Sequence, residues 1–85
     1  MHSSNERPDA CRLYLHDLGL MLKSRARTAR AERDAARGKP DAQFEEGRLS
    51  AFHEVLSLMQ EEARSFQLPL EDIGLADIKP EPDLL

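Results

Sequence analysis

The sequence predicts an all-α fold. An antiparallel two-helix hairpin pairs with a second copy into a four-helix bundle, and carries a short C-terminal helical turn and a mobile acidic tail. Three observations predict it. The first is the run Leu49, Phe52, Leu56, Met59, Ala63, Phe66, whose apolar residues step by three and four and so share one helix face. Ala51, Val55 and Leu58 form a second row beside it, widening the apolar surface to roughly half the cylinder at about 100° per residue. The second is Gly38-Lys39-Pro40-Asp41: glycine suits a left-handed helix end, proline cannot continue a helix, and aspartate can cap the next one. The third is the similar length of the helical patterns on either side, about 9–37 and 41–67, roughly 40 Å each at 1.5 Å per residue. Equal helices joined by a short turn fold back on each other.

Taken in order, residues 1–8 are polar and expected to be flexible, with Asp9 as N-cap and 9–75 as the hairpin domain. The first helix carries the stripe Cys11, Leu15, Leu18, Leu22, Ala26, Ala29, Ala36, bulky in its first half and alanine-only in its second. Gly19 interrupts it at about 1 kcal/mol relative to alanine, and is expected to mark a close contact or a tolerated weak spot. The second helix runs from about Ala42 to Gln67, where Leu68-Pro69 ends it. Residues 69–74 read as one short turn, with proline at its start, Glu71 and Asp72 near its N-terminus and Gly74 at its close. Leu68, Leu70, Ile73 and Leu75 are expected to fold over the open end of the hairpin. Residues 76–85 place Pro80 and Pro82 among acidic side chains and read as a disordered tail.

A chain of 85 residues supports one small domain, and such domains often need oligomerisation or a staple. Cys11 is the only cysteine, so no disulfide closes within the chain, which fits a reducing compartment. The N-terminal residues lack the apolar core of a signal peptide, and no run reaches the roughly eighteen apolar residues of a membrane span. A cytoplasmic location is expected. Arginine outnumbers lysine nine to three, a codon bias that hints at a bacterial, GC-rich genome. Charge is divided by position: residues 9–39 carry a net +4 and residues 40–85 a net −8. The halves are complementary, which points to two surfaces lying against each other before it points to nucleic acid.

No constellation for catalysis, metal or cofactor binding emerges. His-Glu-x-x-His on the second helix would need histidine at position 57, and Glu-x-x-His would need glutamate at position 50; the residues are Ser57 and Ser50. His16 and His53 are expected on the polar face, and Cys11 is expected as a small hydrophobe in the stripe. The four glycines are too scattered for a phosphate loop. Gln67-Leu68-Pro69-Leu70 resembles the first four residues of the pentapeptide by which bacterial replication proteins dock on the sliding clamp. Glu71 stands where that motif has its aromatic anchor, so a structural cap is the stronger reading.

The expected role is a small non-enzymatic interaction module, an adaptor or regulator with an unidentified protein partner. Its self-association would use Leu15, Leu18, Leu22, Phe52, Val55, Leu56, Met59 and Phe66. The alternative is a nucleic-acid-binding dimer that uses the basic outer row of the first helix, Lys23, Arg27, Arg30 and Arg37. Against it stand the net charge of −4 and the absence of an aromatic residue on that row to stack bases.

Overall fold

Two long helices and a short C-terminal one make up the regular structure of this computed structural model, with no strand among the described residues. The structure describes the backbone of residues 2–85 and the side chains of residues 9–85. Helix α1 spans His2–Ala35 and α2 spans Ala42–Ser65; a single 3-10 turn, Leu70–Ile73, and α3, Pro80–Leu84, follow. The helices lie side by side in a rod of 58 × 22 × 16 Å.

Helix α1 already includes the backbone of residues 2–8, so Asp9 lies inside the helix and does not cap it. Met1 and the side chains of the other leading residues fall outside the described set. At the far end the Ala36 N–H is shared between the carbonyls of Glu32 and Arg33, at 3.0 and 3.2 Å. Gly38 then turns left-handed at φ +77. Asp41 occupies the N-cap of α2 as expected, but its carboxylate makes no capping hydrogen bond. What remains is its charge, favourable at the positive end of a helix.

Helix α2 ends in a Schellman motif. The Leu68 N–H donates to Ala63 O at 2.7 Å, and the Gln67 N–H to Arg64 O at 3.0 Å. Gln67 sits at φ +59 in the left-handed position where glycine is usual. Gln67 and Leu68 of the clamp-like tetrapeptide are thus spent on the helix cap.

The core joins three segments. Ala26 and Ala29 from α1 and Leu49, Leu56 and Ala63 from α2 pack with Ile73, Leu75, Ile78 and Leu84. The expectation of a disordered tail is therefore corrected: residues 76–85 lie along the hairpin, with Ile78 and Leu84 buried. Its two prolines suit this. Pro80 opens α3, where a missing N–H costs nothing, and Asp83 Oδ2 accepts the Lys79 N–H at 2.8 Å to complete the cap. The segment after α2 is a strap laid on one side of the hairpin.

Where the strap begins, backbone rests on backbone. A Cβ on Gly19 would collide with the carbonyl of Ile73, and one on Gly74 would stand 2.6 Å from His16 O. Gly74 also closes the 3-10 turn at φ +71. Gly19→Ala should therefore destabilise the fold by about 1–3 kcal/mol in urea unfolding, as overpacking does, instead of giving the gain of up to about 1 kcal/mol usual for a helical glycine. Gly47→Ala, in α2 with open space around it, should show that gain and serves as the control.

Candidate interaction surface

The core line of α2, Leu49, Leu56 and Ala63, is fully buried, and the two flanks beside it meet different surroundings. One flank, His53, Ser57 and Gln60, faces the strap. The other, Phe52, Val55, Met59 and Phe66, faces away from residues 76–85 of the strap, and Leu68 and Ile73 at its start border the groove there. Helix α1 divides in the same way. Gly19, Lys23, Arg27 and Arg30 meet the strap, while Leu15 and Leu22 line grooves on the other side.

The strap side is polar. Gln60 is the one buried polar residue among those described. Its Nε2 donates to Leu75 O at 3.0 Å and to Ile78 O at 2.9 Å. The basic row of α1 completes the grip. Lys23 Nζ pairs with Asp77 Oδ1 at 2.6 Å, and Arg27 reaches Asp77 O at 3.5 Å. Arg30 donates to Asp83 O at 2.7 Å, and Arg33 to Leu85 O at 3.2 Å. The Lys23 hydrogen bond, aided by its charge and that of Arg27, holds the Asp77 carboxyl below the usual carboxylate range. Arg37 stays apart, 3.3 Å from Asp34. The hydrogen bond from Arg33, with the charges of Arg37 and Arg30, likewise lowers Asp34. The sequence named Lys23, Arg27, Arg30 and Arg37 as a nucleic-acid row; the first three hold the strap. Of the complementary charges of the two halves, the strap joins one pair, Lys23 with Asp77.

The opposite side is open and apolar. One groove is walled by Leu15, Leu58, Met59, Ala63, Phe66, Leu68 and Ile73 with the stem of Glu62. A second lies between Leu22, Ala51, Phe52 and Val55 with the stem of Arg48. Phe66 is 73% exposed, Leu58 58% and Val55 44%. Arg48 ties the helices together near the turn, pairing with Glu32 of α1 and lying 3.7 Å from Glu45. Its guanidinium also stands 5.7 Å over the Phe52 ring, within cation–π range.

Of the eight residues read as a self-association set, Leu56 is wholly buried within its own chain. Leu18, Leu22, Phe52 and Met59 are half-buried, and Leu15, Val55 and Phe66 are exposed on the open side. Phe44, 68% exposed, was missed, although it extends the row of Ala51 and Leu58 by the same seven-residue step. Gln60 was missed too, although a glutamine between Leu56 and Ala63 in the seam is itself a signal. Cys11 is exposed, against expectation, because it lies on the part of α1 that extends past the end of α2. His16 is exposed, whereas His53 is half-buried with Nε2 enclosed and unpartnered. Among the described residues no group of His, Cys, Asp and Glu is placed to hold a metal, and no helix is long and apolar enough to cross a membrane.

The chain matches no protein-family model, and no curated protein or solved structure is significantly similar to it.

Two outcomes follow for the strap. Gln60→Leu fills the space but leaves two carbonyls without donors, and should cost about 1–3 kcal/mol in chemical unfolding. Asp77 has a folded-state pKa below its unfolded value of about 3.9. Its pairing therefore stabilises the fold above that value and is lost as pH falls through the lower, folded-state value. In Asp77→Asn the acid limb of a stability–pH profile, read by circular dichroism, should be shallower than in the parent.

Proposed function

We propose that the protein is a small non-enzymatic interaction module, a cytoplasmic bacterial adaptor or regulator, that self-associates through the open side of its hairpin into a four-helix bundle. The observation that carries this reading is the contrast between the two sides. The strap covers one; the other leaves Leu15, Val55, Leu58 and Phe66 exposed along two apolar grooves. A contiguous apolar patch with a polar rim marks an interaction site. A second copy suits it because two hairpins laid face to face bury both patches at once, with the knobs-into-holes packing of a bundle. A hydrocarbon surface binds but offers no group to move a proton or attack a bond. A nucleic-acid surface is less well supported, since Lys23, Arg27 and Arg30 are engaged with the strap.

Light scattering behind a sizing column should give twice the chain mass of 9.6 kDa at micromolar concentration, and a monomer would sink the reading. Val55→Ser with Phe66→Ser should yield a monomer that keeps its helical circular dichroism. Leu56→Ala, at a position with no exposure, should instead lower fold stability by about 2–5 kcal/mol.

A further inference from the structure

We infer that oxidation of Met21 and Met59 to their sulfoxides takes the self-associated protein apart, which makes the open side a redox-sensitive interface. This rests on the self-association reading and adds its regulation.

The first argument is placement. Both methionines whose side chains are described lie on the open side. Met59 is half-buried and walls a groove there with Leu15, Leu58 and Phe66. Met21 is 48% exposed. It stands two residues from both Gly19 and Lys23, which meet the strap, and so about 200° round α1 from each at about 100° per residue. A step of three residues sets it beside Leu18, on the side turned away from the strap. An oxidant therefore reaches both side chains in the free chain, and a second copy on the open side covers both.

The second argument is what an added oxygen meets. A thioether is soft, apolar and adaptable, whereas a sulfoxide is polar and carries an acceptor oxygen. No side chain around the Met59 groove is a hydrogen-bond donor: the lining is apolar except for Glu62, whose carboxylate only accepts. Water satisfies the new oxygen in the free chain; in the dimer it is buried without a partner. The two states thus differ in what the oxygen costs, and that difference is what shifts an equilibrium. The fold is spared, because the buried core cluster contains no methionine and Met59 only packs against it.

The oxidant is a peroxide. The methionine sulfur attacks one peroxide oxygen, an S–O bond forms as the O–O bond breaks, and the leaving oxygen takes up the proton and departs as water. Sulfur gives up an electron pair and the peroxide gains it. Methionine sulfoxide reductases, fed by a thiol, reverse the step.

Hydrogen peroxide on the Cys11→Ser chain is the test, since the exposed Cys11 thiol would otherwise react as well. Mass spectrometry locates one added oxygen on each methionine, and light scattering reads the mass. Near the dissociation constant of the untreated dimer, the oxidised chain should shift toward the chain mass of 9.6 kDa. The dimer should be weakened about tenfold or more, the scale of one buried acceptor left unpaired. Helical circular dichroism should stay unchanged, and sulfoxide reductase with dithiothreitol should bring the dimer back. A dimer that persists with both sulfoxides in place would overturn the inference and leave self-association standing; a monomer before treatment would overturn both. Loss of helicity on oxidation would put the effect in the fold and defeat the inference equally. Met21→Leu with Met59→Leu, compared with itself before and after peroxide, should show no response. A fall in its mass would assign the effect to another residue and end the case for these two.

Discussion

The contact between Gly19 and the Ile73–Gly74 peptide is the constraint on which the other features of the structure depend. Without side chains at either glycine, the 3-10 turn lies flat on α1. The chain leaving α2 is therefore sent back along the hairpin and not out into solvent. Leu75, Ile78 and Leu84 then reach the core, and the strap carbonyls come within range of Gln60, Arg30 and Arg33. The same contact decides which side of the hairpin is covered and which is left apolar and open.

The two ends of the strap are fixed by different means. At its start, geometry does the work: the Schellman cap of α2 forces Gln67 into the left-handed region, at about 1 kcal/mol or more for a residue other than glycine. That cost is borne because the cap aims Leu68 and Pro69 toward α1. Further along, apolar side chains fill the core line while cations hold the outside. Gln60 is the exception, a buried amide whose two donors are both used, so it fixes the strap's position along the groove as well as its depth.

Much of the hairpin was legible in the sequence. Period and punctuation gave two helices and the turn at Gly38, because both signals are local. The core line of Leu49, Leu56 and Ala63 was legible for the same reason. What periodicity cannot supply is the neighbour on each flank, so Leu56 and Phe66 read alike although one is buried and the other 73% exposed. Cys11 was misplaced because a stripe says nothing about where the opposing helix stops. Residues 76–85 were read as a tail from their prolines and acids. What holds them in place is a set of contacts some 50 residues away in the chain, which no local window contains. For Gly19 a close contact was foreseen but not the element that makes it.

The cations of α1 hold the strap chiefly by its main chain: Arg27, Arg30 and Arg33 all reach carbonyl oxygens, and only Lys23 reads a side chain. Carbonyls are the same whatever residue bears them. Ala76, Lys79, Glu81 and Pro82, whose side chains stay outside the core, are thus free to drift over evolutionary time while the strap stays in place. The tolerant outer face of the strap is where a relative could acquire a recognition sequence, or an engineer graft one, without disturbing the hairpin beneath.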